Sequence, residues 1–274
     1  MARHVKKARE RLSNFGSLIS AAAGISGKLA ACRLIWFNQV SSATKIVRVP
    51  MKGLNGESLF VRSGSSDLYN ATWYYRDEIQ LPPPGLREEP LSVICEIGTN
   101  MGAALTALGL RYPHARLIGV EPDAENVEMA RMNTARFGDR CEIVHAGVGA
   151  ERGRLAVDRT SEFGSHGFTL RPVTEADRDD SEFVDVLPLE EILGSRLGQQ
   201  PVDYLHVSIE GAEPFLFEGD SAWARQVRSL KMELHPYYDF TAADCLPELT
   251  RLGFRAWVDP EIPDKWVFAV KDGV

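Results

Sequence analysis

From residue 91 onward the chain alternates between short apolar runs and longer stretches with helical spacing. LSVICEI (91–97) is almost continuously apolar, as expected of a strand buried on both faces. AALTALGLRY (103–112) has helical spacing and stops at Pro113. RLIGVE (116–121) is a second strand. DAENVEMARMNTARF (123–137) is a helix that Asp123 caps and Gly138 closes, and CEIVHAGVG (141–149) is a third strand. After an irregular stretch over 150–185, which holds a predicted hairpin and an exposed acidic loop, VDYLHVSIEGAE (202–213) is a strand running into a turn. A helix over 214–225, the strand SLKMELH (229–235), a helix over 245–252 and the strands FRAWV (254–258) and WVFAV (266–270) follow. Strands separated by single helices require crossover connections, so the pattern predicts an α/β domain with a mostly parallel sheet.

Upstream the pattern changes. Residues 1–45 read as helices with polar breaks, and two β-like runs flank Asn55-Gly56, the dipeptide of a tight hairpin turn. Three successive prolines in LPPPGLREEP cannot continue a helix or a central strand and mark a linker. The predicted organisation is therefore a helical and hairpin extension over 1–85 and a ligand-binding domain over 86–274.

Composition changes this picture in two places. The net charge of -7 argues against general nucleic-acid binding, which wants a basic face. That charge is uneven: residues 1–50 hold nine Lys or Arg and the single acid Glu10, a local +8. The uncharged run between Arg11 and Lys28 is shorter than the roughly 20 residues that span a bilayer. It packs on the domain, forms a contact in a homodimer, or touches an anionic membrane surface, and all three readings stay open. The four dispersed cysteines form no CxxC pair and suggest neither a disulfide framework nor a zinc site. The expected location is the cytoplasm, with peripheral contact at the inner membrane surface under the third reading.

The chemistry concentrates at strand ends. Glu96, Gly98 and Gly102 form ExGxxxG at the first strand-to-helix junction, where open α/β sheets bind ligands. Gly98 permits a sharp turn, and Gly102 permits close packing at the helix start. Dinucleotide sites use GxGxxG to seat a pyrophosphate on the helix N-terminus. Here position 100 is Asn and position 96 is a carboxylate, which repels phosphate and attracts a cation. S-adenosyl-L-methionine has no phosphate; it carries an ammonium and a sulfonium. Glu121, at the second strand's end, is placed to accept hydrogen bonds from ribose hydroxyls. Further along the same edge, Glu210, Glu213, Glu233 and His235 end two strands and form the candidate catalytic set, for a base or a divalent metal that activates a hydroxyl acceptor. Each alone reads as a turn acid, a helix cap or a strand terminus. Together they read as a site. His166, between glycines, reads as a loop histidine, and His206, inside a strand, as packing.

At these residues the chain resembles the FkbM-type family of S-adenosylmethionine-dependent methyltransferases, through RSGSSDL (62–68), EIGTNMG (96–102), GVEPD (119–123), DYLHVSIEGAE (203–213) and MELH (232–235). The resemblance runs from about residue 61 to about residue 258. It implies a Rossmann-like, seven-stranded class I methyltransferase sheet whose last strand is antiparallel, and O-methylation of a saccharide, a glycan or glycolipid, or a polyketide-type product. By motif match, Glu96, Gly98, Asn100 and Gly102 would line the methionine part of the cofactor and Glu121 the ribose. Arg62, Ser66 and Asp67 match an upstream element that folds over cofactor or acceptor. The family usually has Lys and Asp where this chain has His206 and Ser208. Ser208 joins the cofactor-binding set but cannot be a carboxylate base or metal ligand, which leaves that work to Glu210, Glu233 or His235 and leaves metal use open. The competing readings are a non-catalytic cofactor-binding protein of the same fold and an NAD-dependent oxidoreductase.

Overall fold

A computed structural model describes residues 16, 18–40, 43–67, 70–72, 80–158, 169–173, 183–235 and 240–272. The basic start, the acidic stretch over 174–182 and His166 lie outside the described residues. The chain divides between residues 79 and 80 into two compact units.

In the first unit, helix α1 (Gly24–Val40) packs on a hairpin of β1 (Ile46–Pro50) and β2 (Ser58–Arg62). The predicted tight turn at Asn55-Gly56 is part of a wider loop. Pro50 pairs with Ser58, a short 3-10 turn (Lys52–Leu54) fills the connection, and Asn55 and Gly56 are both left-handed, at φ 55° and 85°. The dipeptide supplies its left-handed conformation, but at the closing end of that turn. α1 approaches closely at Gly27, where a Cβ would lie 2.8 Å from the Pro50 carbonyl oxygen.

The second unit is built on β3 (Val93–Ile97), α2 (Ala103–Arg111), β4 (Arg116–Glu121), α3 (Ala124–Thr134) and β5 (Cys141–His145). The chain then forms β6 (Gly147–Val148), β7 (Gly153–Asp158), β8 (Thr169–Pro172), β9 (Phe183–Leu187) and α4 (Leu189–Leu197). It ends with β10 (Tyr204–Val207), β11 (Ser229–Glu233), α5 (Ala242–Arg251), β12 (Phe254–Val258) and β13 (Trp266–Lys271). Seven strands form the main sheet in the order β12-β13-β11-β10-β3-β4-β5, and the last strand, β13, is antiparallel to both its neighbours. This is the Rossmann-like arrangement implied by the resemblance. The irregular stretch is more ordered than its sequence suggests: β6, β9, β7 and β8 form a separate four-stranded sheet, with β7 and β8 the predicted hairpin.

The apolar runs behave as their pattern requires. Ile94, Leu117 and Tyr204 are buried beneath Leu105 and Leu108 of α2 and Val127 and Ala130 of α3. On the opposite face Val93, Cys95, Leu205, Leu230 and Met232 pack with Ile192 and Leu193 of α4, Leu249 of α5 and Trp223. Each fully buried Leu or Ile contributes about 1.5–3 kcal/mol, enough to fix which face of each strand turns inward.

Two local signals have different outcomes. Asp123 accepts a hydrogen bond from the Asn126 amide and caps α3 as predicted. The predicted helix over 214–225 is instead two 3-10 turns, Glu213–Phe217 and Ala222–Arg225. Gly219 and Ser221, at φ 68° and 47°, break it between them. The apolar spacing there serves a loop anchored by Trp223, whose indole donates to the Leu216 carbonyl at 2.7 Å.

Asp203 staples the starts of three central strands. Its Oδ2 accepts from the amides of Ser92 and Val93 at 2.7 and 3.0 Å, and its Oδ1 from Arg228 at 2.7 Å. Asp203→Ala is expected to lower folding stability by about 1–3 kcal/mol, read as a reduced urea midpoint with unchanged slope.

Candidate functional site

β3, β4, β10 and β11 are parallel neighbours, so their carboxyl ends share one edge of the sheet. Every second-unit residue singled out from the sequence lies on or just beyond that edge, and they form two groups.

The first group surrounds the loop from β3 to α2. Gly98, Asn100 and Gly102 all have left-handed backbones, at φ 81°, 51° and 81°. Gly98 and Thr99 donate their amides to the Val120 carbonyl, folding the loop over the end of β4. The glycines are required by the chain itself. A Cβ on Gly98 would lie 1.7 Å from the Ser208 carbonyl oxygen, and one on Gly102 would lie 2.9 Å from Cα of Ala130 in α3. The expected close packing at Gly102 is therefore present, while the space beside Gly98 belongs to the next strand.

Glu121 is 2% exposed and accepts three hydrogen bonds: from the Asn100 amide (2.7 Å), the Asp123 amide (3.0 Å) and the Asn126 side chain (3.3 Å). Burial pushes its carboxyl up to about 7, against those hydrogen bonds, which pull the other way. Glu96 lies within β3 rather than beyond it and is fully buried. Its Oε1 meets Nδ1 of His206 at 3.0 Å, directly across the β3–β10 register, while its Oε2 has no hydrogen-bond partner. Burial raises its pKa, and the His206 hydrogen bond works against the rise. Thus the two acids expected to face a ligand together are each covered, and each is engaged by its own chain.

The second group lies at the ends of β10 and β11. The Glu210-Gly211 turn is left-handed at both residues, at φ 50° and 94°, and it bends the chain back so that Glu213 returns to the sheet edge. Glu213 is fully buried. Its Oε1 meets Nδ1 of His235 at 2.7 Å and accepts from the Gly211 amide at 3.2 Å, while its Oε2 has no partner. Nε2 of His235 stands 3.5 Å from Glu210 Oε2 and 3.7 Å from Glu233 Oε1. Glu233 also accepts from Ser208 Oγ at 2.8 Å and pairs with Lys265 Nζ at 2.9 Å. Glu210, Glu213, Glu233, His235 and Ser208 do converge. Burial disfavours the charged imidazole of His235, but the Glu213 hydrogen bond and the surrounding carboxylates outweigh it and hold its pKa above the ordinary histidine value. Glu210, the half-exposed member, is raised by the partial loss of its hydration and by its neighbours Glu233 and Glu213, against the pull of His235. Such a histidine, fixed at one nitrogen by a buried acid and facing two further carboxylates at the other, is built to take up and hold a proton.

Sequence reasoning missed Lys265. It lies in the loop before β13, and only the antiparallel register, which pairs Trp266 with Glu233, brings it to the site. No local signal marks that register. It also missed the bond between His206 and Glu96, although reading His206 as a packed strand residue agrees with its full burial and its stacking on Trp266. In the first unit, Asp67 is fully buried and held by the Arg62 guanidinium through both carboxylate oxygens, and also accepts from the Arg62 amide. Ser66 is 1% exposed. Among the described residues no group of three or more His, Cys, Asp or Glu has the geometry to hold a metal ion.

A family model described as the methyltransferase FkbM domain matches residues 96–256. A ribosomal RNA small subunit methyltransferase H from Leifsonia xyli subsp. xyli (strain CTCB07) is 37% identical over 67 residues, covering 24% of this chain and 20% of that protein. The protein of the same name from Geobacter sp. (strain M21) is 30% identical over 140 residues, 47% of this chain and 42% of that one. The chain thus spans less than half the length of these curated relatives. Among solved structures, a precorrin-6y C5,15-methyltransferase from Geobacter metallireducens GS-15 is 13% identical with a TM-score of 0.41, covering 68% of this chain and 84% of that one.

Proposed function

The chain belongs to the methyltransferase FkbM domain family, and from that membership we propose that it is an S-adenosyl-L-methionine-dependent O-methyltransferase whose acceptor is a hydroxyl of a saccharide, glycan or polyketide-type molecule. The observation that carries the reading is the Glu213–His235 pair at the edge of the sheet, 2.7 Å apart and flanked by Glu233 and Glu210.

The residues present fit the cofactor. Glu96 retains an unpartnered buried oxygen, an acceptor suited to an ammonium donor, and two buried acids beside the loop disfavour a pyrophosphate. In this reading Glu96 and the Gly98–Gly102 loop hold the methionine end and Glu121 the ribose. When bound, the sulfonium supplies an electrophilic methyl group. The chain's own work is to orient the acceptor and to remove its proton. A hydroxyl is a poor nucleophile until that proton leaves, and Nε2 of His235 is the group able to take it, since Nδ1 is held by Glu213. Glu233, fixed by Ser208 and Lys265, offers an acceptor for a second hydroxyl and thereby sets the acceptor's angle to the methyl carbon. The carboxylates of the site and the net charge of -7 favour a neutral polyol over a polyanionic nucleic acid.

The direct test is transfer of labelled methyl groups from S-adenosyl-L-methionine to a panel of saccharide and macrolide acceptors. Base-stable label on an acceptor hydroxyl supports the reading; label on RNA alone overturns it. Glu121→Ala is expected to weaken S-adenosylhomocysteine binding by about 1–3 kcal/mol, because a charge-bearing acceptor and the loop it anchors are both lost. Unchanged affinity in a folded variant removes Glu121 from the cofactor site.

A further inference from the structure

Helix α1 is apolar on two opposite faces. Gly27, Ala31 and Leu34 are buried, on the side where the helix packs against the hairpin. On the other side Ile25 is 80% exposed, Leu29 65%, Trp36 57% and Val40 56%. With Cys32, also exposed, these residues fall within an arc of about 80° at 3.6 residues per turn, opposite the buried face. A helix that is apolar all round is ordinarily covered on both sides. The first cover is the hairpin. Among the described residues nothing covers the second face.

Charge distinguishes the candidates for covering that face. The exposed Lys28 and Arg33 flank the stripe on its two sides, and Gly24–Val40 contains no acid. The surrounding sequence is basic as well, with residues 1–50 carrying +8. In a two-fold contact between copies the same patch meets itself, bringing Lys28 and Arg33 against like charges with no acid on the helix to offset them. An anionic bilayer surface meets both requirements at once: acyl chains receive the apolar stripe, and headgroup phosphates receive the flanking cations. Trp36 suits the boundary between them. No described helix is long and apolar enough to cross a membrane, so the helix would lie in the plane of the interface.

We propose that the exposed stripe Ile25–Leu29–Trp36–Val40 of α1, with Lys28 and Arg33 beside it, docks the protein on an anionic phospholipid surface. This rests on the first unit alone and stands whether or not the catalytic reading does.

The test is flotation of the full chain with vesicles of phosphatidylcholine, with or without phosphatidylglycerol, at low and high salt. The wild type is expected to float with the anionic vesicles and to be released by salt. The double variant L29E/W36E, at exposed positions, is expected to partition more than about tenfold more weakly with an unchanged circular dichroism spectrum. K28Q/R33Q is expected to bind several-fold more weakly and to lose part of the salt dependence. The milder pair L29A/W36A, with a smaller loss in the same direction, serves if L29E/W36E does not fold. Three outcomes overturn the proposal: no flotation of the wild type, equal flotation of wild type and stripe variants, or a dimer in size-exclusion chromatography that L29E/W36E dissociates while no vesicle binding occurs. The last would assign the stripe to a second copy of the chain.

Discussion

Gly98→Ala is expected to cost more than about 4 kcal/mol of folding stability, the largest effect of an added methyl at any of the described glycines. Two costs combine. The residue sits at φ 81°, where an L side chain is strained by about 1–2 kcal/mol. The added Cβ would also lie 1.7 Å from the carbonyl oxygen and 2.6 Å from the carbonyl carbon of Ser208. Those are backbone atoms, and they cannot swing aside as a side chain would. Ile97 and Val207 pair across the β3–β10 ladder, and Ser208 donates its amide to the Ile97 carbonyl at 3.0 Å, so relief means opening the centre of the sheet. Two other glycines calibrate the claim. Gly102 has the same φ but would meet Cα of Ala130 at 2.9 Å, so Gly102→Ala is expected to cost about half as much, because α3 can shift. Gly219 is left-handed with nothing within 4 Å of the added atom, so Gly219→Ala carries only the conformational cost of about 1 kcal/mol. Urea unfolding of the three variants tests the order. Equal losses at Gly98 and Gly219 would show that strand contact at Gly98 contributes nothing.

His235→Gln is expected to lower turnover by about 10²–10⁴-fold while cofactor affinity stays within about threefold, the signature of a lost proton acceptor rather than a damaged binding site. Glutamine keeps a donor for Glu213 and much of the shape, but it cannot take up a proton. The wild-type pH profile provides a second readout. A base must be neutral to act, so activity falls as pH drops through the pKa of His235, which its carboxylate neighbours hold above the usual value. Glu213→Gln removes the strongest of those neighbours; the acidic limb is then expected to move to lower pH as turnover falls. An acidic limb that stays in place in Glu213→Gln would assign the titration to another group. Parallel losses of turnover and cofactor affinity in His235→Gln would make His235 structural.

Much of the fold was legible because its determinants are local. The middles of runs such as LSVICEI and RLIGVE are apolar at consecutive positions because both faces are covered, and Asp123 announces its helix by a cap that acts three residues away. The predicted helix over 214–225 failed where apolar spacing coexists with Gly219 and Ser221, whose left-handed backbones cannot continue a right-handed helix. The convergence of Glu210, Glu213, Glu233 and His235 was legible, since they follow two adjacent parallel strands whose carboxyl ends share one edge. Its wiring was not. That Lys265 reaches Glu233, or that Glu96 spends one oxygen on His206, depends on strand registers between residues far apart in the chain.

In the proposed reading, Glu96 and Glu121 beside the β3–α2 loop select a sulfonium nucleoside over a phosphate-bearing dinucleotide. Calorimetry of the purified chain with S-adenosylhomocysteine and, separately, with NAD tests it most directly. Saturable one-to-one binding of S-adenosylhomocysteine, weakened in Glu121→Ala, with no heat beyond dilution from NAD, is the expected result. Binding of NAD with no binding of S-adenosylhomocysteine would contradict it.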